Sequence, residues 1–352
     1  MNFEDFTLVQ NDTIAGILYT IFALAFIIVP FIVYIVKKND NTKLIEKYMK
    51  VFPNPDEAME AYYRDKENYT VVEPYRKNSL IAIIYYFFVM YILAEIIAAI
   101  AIVIYLQMNG FSRDIINPNS DAFNPDVYEH MANILNLVLE MVLYTMLTVG
   151  VVIIMWKPFK KDLSNISKKT FAFGAMGYGL TMAGNFASTI LFGILGITAR
   201  KGEASNQEAI TSMFNSSPLA IVILFLTIVI MAPIVEELIF RKGIFTLIKD
   251  PKLAIIISSL IFGGLHVISP TISTIGLWIS GEANYLDVIL EFVYIIQYSL
   301  MGLGFSIAYV KSNKNVSTTI FSHMLNNGIS FFMLLLLTLF PSEIEAIINF
   351  LI

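Results

Sequence analysis

Seven residues fall into three short groups whose types and spacing could do chemistry: Glu236-Glu237-x-x-x-Arg241, Phe262-x-x-x-His266 and His323-x-x-x-Asn327. Adjacent residues on an α-helix point about 100° apart, so Glu236 and Glu237 cannot share one job. Glu237 and Arg241 stand four apart with the acid N-terminal, the favourable order for an ion pair along one face. Glu236 projects elsewhere, without an obvious local partner. The spacing assigns Glu237 and Arg241 to structure and leaves Glu236 for chemistry. Pro233 precedes the pair and leaves a carbonyl about one turn back without its N–H donor. A bent, locally polar helix of that kind suits a water-filled cavity. Taken alone, the segment reads equally well as a plain salt-bridge cluster at a membrane rim.

The histidines change that balance. The chain has three, and His266 and His323 each sit in an i,i+4 pair, with Phe262 and Asn327. A carboxylate and two imidazoles can activate water in two ways. Glu236 could be a general base. Alternatively His266, His323 and a carboxylate could hold zinc with an open fourth position, which acidifies bound water. Asn327 could donate a hydrogen bond to an oxyanion. Hydrolysis of a carbonyl compound, meaning a peptide bond, is the natural reaction class.

These groups must be positioned by membrane helices. The chain is 57% hydrophobic and 14% charged, with no cysteine and a net charge of −5. That composition excludes an ordinary soluble enzyme and a nucleic-acid binder, and it removes thiolate sites. About 20 apolar residues cross a bilayer as a helix. Eight stretches qualify or nearly qualify: 14–36, 79–106, 132–156, 171–197, 218–240, 253–268, 286–310 and 317–340. The sixth is short and is expected to stop at Pro270. The expected fold is therefore an all-α membrane protein of about eight transmembrane helices. A cytosolic amphipathic insert, 37–78, follows the first span, with Asn54-Pro55-Asp56-Glu57 as a helix start.

Lys and Arg set the orientation. The segments 37–78, 157–169, 241–252 and 311–314 hold 20 of the 23, and the other side holds Arg113, Arg200 and Lys201. Both termini are then expected outside, on the non-cytoplasmic face of a multi-pass cell membrane protein. With a rise of about 1.5 Å per residue, Glu236 lies roughly 9 Å, His323 roughly 14 Å and His266 roughly 21 Å from the nearest basic flank. All three fall in one band of depth and can converge.

Other polar residues in or near the spans read more plainly. Glu95 and Glu140 are isolated in the second and third spans. Glu291 lies near the outer end of the seventh, where it is expected to reach the interface, and His130 reads as a surface residue. Ala175, Gly179, Ala183 and Ala187 recur every fourth residue, a register that lets membrane helices pack closely.

With order and spacing preserved, the three groups resemble the motifs of the CPBP group, the CAAX protease and bacteriocin-processing (Abi) intramembrane proteases. The resemblance covers roughly 170–340, leaving 1–165 as an N-terminal three-span extension. It implies a membrane endopeptidase of the kind that includes the Ras-converting CAAX prenyl proteases. By that analogy Glu236 activates water, His266 assists or binds metal, and His323 with Asn327 forms the oxyanion site. Glu237, Arg241 and Phe262 support them. The group is labelled metalloproteases, and both a zinc mechanism, with His266 and His323 as ligands, and a metal-free glutamate mechanism stay open. The partners implied are the lipid bilayer and a peptide or protein substrate. The Ile-, Asn- and Lys-rich composition suggests a bacterial source, where peptide pheromones, bacteriocin precursors or leader remnants are the expected substrates. Two other classes compete: a proton-coupled transporter, and a non-catalytic membrane or bacteriocin-immunity partner. The ionisable cluster occupies one half of the chain, which speaks against the matched halves of a transporter.

Overall fold

The computed structural model describes residues 48–52, 54, 56–58, 60–61, 75–117, 120–197, 204–248 and 250–342. Among them every regular element is helical, and no strand occurs. The helices are α1 (Arg76–Asn109), α2 (Pro125–Ile154), α3 (Trp156–Ser164), α4 (Lys168–Ile194), α5 (Ser205–Ser216), α6 (Pro218–Leu247), α7 (Pro251–Ser280), α8 (Tyr285–Lys311) and α9 (Val316–Leu339).

Six of these, α1, α2, α6, α7, α8 and α9, are long and apolar enough to cross a membrane. Their outward faces fit lipid. Ile92, Ile96, Ile100 and Ile104 form an exposed stripe at four-residue spacing on α1, a surface that water would not favour. The expected span 171–197 is present as the 27-residue α4, but its Gly, Thr, Ser and Asn content leaves it outside the six. The expected first span, 14–36, and most of the insert 37–78 lie outside the described residues. Of the insert, Asn54 acts as the helix start read from sequence, its Oδ1 accepting from the Asp56 N–H at 3.0 Å.

Three expectations need correction. Helix α7 does not stop at Pro270 but runs on to Ser280. A proline removes one backbone donor, here for the His266 carbonyl, and a packed neighbour lets a membrane helix tolerate that loss. The neighbour is α8, which approaches so closely that a Cβ on Gly263 would lie 2.7 Å from the Ser299 nitrogen. The stripe Ala175, Gly179, Ala183 and Ala187 is exposed. Helix α4 packs instead through Gly174, Gly177, Thr181 and Ser188, all buried. A Cβ on Gly177 would meet Ser322 and Ala308 at under 3 Å, so this adjacent register is the one that lets α8 and α9 in. Glu291, expected to reach the interface, is fully buried and accepts from Ser205 Oγ of α5 at 2.7 Å.

The main core joins α1, α6, α7 and α9. Tyr86 of α1 packs edge-on against Phe240 of α6, which packs edge-on against Phe262 of α7. Helix α1 docks on α2 where the Tyr85 hydroxyl donates to the Met146 carbonyl at 2.8 Å. The ring lies where only Gly150 leaves room, since any Cβ there would collide with it.

Helix α6 departs from α geometry twice. Phe225–Met231 and Glu237–Gly243 are π-helical, and Ala232–Glu236 between them is α-helical. The Phe240 carbonyl in the second π segment accepts from Ser258 Oγ of α7 at 2.8 Å. Such π segments often mark functional sites, because each rotates the residues that follow it.

Candidate active site

Glu236 and Glu237 occupy the junction of the α turn and the second π segment. Their side chains part as the sequence requires. Glu237 is fully buried, and its Oε1 lies 3.1 Å from Arg241 Nη1, whose side chain is equally buried. Arg241 Nη2 also donates to the Gly302 carbonyl of α8 at 3.1 Å. Its guanidinium carbon lies 4.6 Å from the Phe262 ring centre and 5.2 Å from that of Phe305. A cation without water is held there by a carboxylate, a carbonyl and two aromatic faces. Arg241, counted with the basic flank in the sequence, is therefore an interior residue.

Glu237 Oε1 has a second partner that spacing does not show: His323 Nδ1–H of α9 donates to it at 2.9 Å. The ring of His323 stacks on Phe305 at 4.7 Å and meets Phe262 edge-on at 5.7 Å. A carboxylate that accepts from Nδ1 fixes the tautomer and turns Nε2 outward as the working nitrogen.

His266 is held in the same sense. Its Nδ1–H donates to the Phe262 carbonyl one turn earlier, at 2.8 Å. Its ring lies between Phe262 at 4.6 Å and Tyr298 of α8 at 4.6 Å, stacked on the tyrosine. Both imidazoles thus have Nδ1 committed and Nε2 left over. Phe262, fully buried, touches both of them and Arg241. The Phe-x-x-x-His spacing therefore supplies a ring that both histidines contact as well as a helical neighbour.

Asn327 lies half-buried on α9, and its Nδ2–H donates to the Ile228 carbonyl at 2.9 Å. That carbonyl is the one Pro233 fails to serve. In the first π segment the Ala232 N–H bonds to the Thr227 carbonyl, five residues back. The next donor in that register would be residue 233, bonding to Ile228, and proline has none. Asn326, buried, donates from Nδ2 to Asn327 Oδ1 at 3.1 Å. The two amides form a short chain, and each keeps a second N–H.

One cavity of about 550 Å³ connects these groups, lined by Glu236, His266, His323, Asn326 and Asn327. Glu236 is buried, and its Oε2 has no hydrogen-bond partner among the described residues. All four residues read from sequence as chemical thus border one space, Phe262 lines it with them, and Glu237 and Arg241 stand behind it. Asn326, adjacent to Asn327 in sequence, lines the cavity beside it. Glu140 enters the cavity from α2, beside Thr227, and only three-dimensional packing reveals that. Glu95 is exposed on α1, and His130 is exposed near the start of α2, the surface position expected of it.

Among the described residues no three His, Asp or Glu side chains stand close enough together to hold a metal ion. His266 and His323 offer two Nε2 atoms, and both rings contact Phe262. The donor set as folded does not fit a three-ligand zinc site.

Residues 218–329 match the family model described as type II CAAX prenyl endopeptidase Rce1-like. That segment begins with α6 and contains all seven motif residues. The match agrees with the resemblance drawn from the motifs. Together with the six apolar helices it points to a multi-pass membrane protein. An uncharacterized protein of Mycoplasma capricolum subsp. capricolum is 27% identical over 241 residues. The alignment covers 64% of this chain, and the chain spans 63% of the length of that relative. No solved structure matches.

Proposed function

We propose that the chain is an intramembrane endopeptidase that hydrolyses a peptide bond in a membrane-associated peptide or protein. The observation that carries this reading is Glu236: a buried carboxylate with one unpartnered oxygen, facing the same cavity as two histidines that each have a spare Nε2. An unpaired carboxylate at such a depth is costly unless it is used.

Glu236 takes a proton from water, and the oxygen forms a bond to the carbonyl carbon of the scissile peptide. His266 Nε2 accepts from that water and orients it. Negative charge then develops on the carbonyl oxygen. The remaining N–H groups of Asn327 and Asn326 stabilise it, joined by His323 Nε2–H when Glu237 supports an imidazolium. Glu236 hands its proton to the leaving nitrogen as the C–N bond breaks. In this reading the carboxylate activates the water, and no step runs through a metal.

In the full arrangement eight helices cross the membrane, both termini lie outside, and the basic loops face the cytoplasm. The bacterial composition favours peptide pheromones, bacteriocin precursors or leader remnants over prenylated proteins as substrates. The test compares membrane peptides from cells carrying the wild type or Glu236→Gln. Uncleaved precursors should accumulate in the variant, and identical peptide sets would overturn the reading.

A further inference from the structure

A second cavity, of about 450 Å³, lies where the ends of α3, α4, α6, α8 and α9 meet, and it shares no lining residue with the first. Its charge is lopsided. Lys161, Lys169, Lys242 and Lys314 line it against one carboxylate, Asp162. Asp162 is already engaged: its Oδ2 lies 2.6 Å from Lys242 Nζ and accepts from the Val316 N–H at 2.9 Å. Among the described residues lining the cavity, Lys161, Lys169 and Lys314 therefore meet no second carboxylate. The N-terminal turns of α4 and α9 also open into it, at Ser167, Thr170 and Thr318. Their first N–H groups are already capped, but helix N-termini carry partial positive charge. Thr318 supplies an independent sign of a ligand. It is fully buried, it lines the cavity, and its Oγ1 has no hydrogen-bond partner among the described residues. A buried hydroxyl without a partner is expected to meet one.

We propose that this cavity binds a phosphate group, in the first place that of an anionic phospholipid headgroup. Basic pockets between membrane helices at the headgroup level take such groups. Lys169 and Lys314 reach the phosphate from two sides, and Thr318 Oγ1 donates to it from below. Bound there, the headgroup ties α4 to α9, the helix that carries His323 and Asn327.

The test uses the purified full chain in neutral detergent, with bound molecules counted by native mass spectrometry. The probes are dioleoylphosphatidylglycerol, dioleoylphosphatidylcholine and inorganic phosphate. The wild type should retain one phosphatidylglycerol, with phosphatidylcholine weaker by about tenfold or more. Lys169→Gln/Lys314→Gln should weaken retention by at least about tenfold. Thr318→Val, which keeps the shape, should weaken it several-fold, about what one hydrogen bond to a charged group is worth. Glu236→Gln should not alter it. Competition by millimolar inorganic phosphate without a lipid preference would identify free phosphate as the ligand of the same site. Equal retention of both lipids with no phosphate effect would overturn the proposal. So would unchanged binding in both folded variants.

Discussion

Oε1 of Glu237 is shared by His323 and Arg241, at 2.9 Å from Nδ1 of the first and 3.1 Å from Nη1 of the second. One oxygen thus links α9, the helix of His323 and Asn327, to a buried guanidinium that bridges to α8. Glu237 is held by both partners, whereas Glu236 next to it bonds to neither of them and lines the cavity.

That asymmetry predicts opposite behaviour of two identical substitutions. Glu237→Gln leaves the Arg241 charge buried without its counter-ion, a loss that typically costs about 3–5 kcal/mol. Folded yield and thermal midpoint in detergent should fall. Glu236→Gln removes no pairing and should leave both near wild type while abolishing cleavage. Equal loss of folding in the two variants would contradict this division.

Much of this division was legible in sequence. The i,i+4 rule separates Glu236 from Glu237, and the Phe262–His266 and His323–Asn327 spacings place each pair on one helix face. The rest depends on features that residue patterns do not encode. An apolar run looks alike whether its hydrogen bonds close four or five residues back, so the π segments that flank Glu236 leave no mark. His323 finds Glu237 from 86 residues away, and Glu140 reaches the cavity from α2. The small-residue stripe of α4 misled by one position. Period four alone cannot tell Gly174 and Gly177, which meet α9 and α8, from Ala175 and Gly179, which face outward.

The basic flanks predict sidedness. The chain has no cysteine, so single cysteines can be placed freely at exposed positions. Lys160→Cys and Lys311→Cys should react only with reagent on the cytoplasmic side. Asp121→Cys and Glu282→Cys should react only from outside. Labelling of Lys160→Cys from outside would reject this topology.

Metal dependence separates the two ways of activating water. A carboxylate acting alone predicts that chelator-washed protein keeps its activity and carries no stoichiometric zinc. His266→Ala should then lose rate without any change in metal content. One tightly held zinc per chain, removed together with cleavage, would show that the helices close further around His266 and His323 than they do in this structure.

The Ile228 carbonyl allows the two roles of Asn327 to be separated. Asn327→Ala should lose rate by roughly 10²–10³-fold if an oxyanion donor has gone. It should also lose stability by about 0.5–1.5 kcal/mol, because the Ile228 carbonyl loses the Asn327 donor. Pro233→Ala restores a backbone N–H in the register that would bond to Ile228. In the double variant Asn327→Ala/Pro233→Ala, the thermal midpoint should recover toward that of Pro233→Ala alone, while the rate should stay low. Backbone repair cannot replace an amide aimed at the substrate. Recovery of both would mean that Asn327 serves only to cap the broken turn, and the oxyanion role would pass to Asn326 and His323. Recovery of neither would show that the Ile228 contact is incidental to the fold.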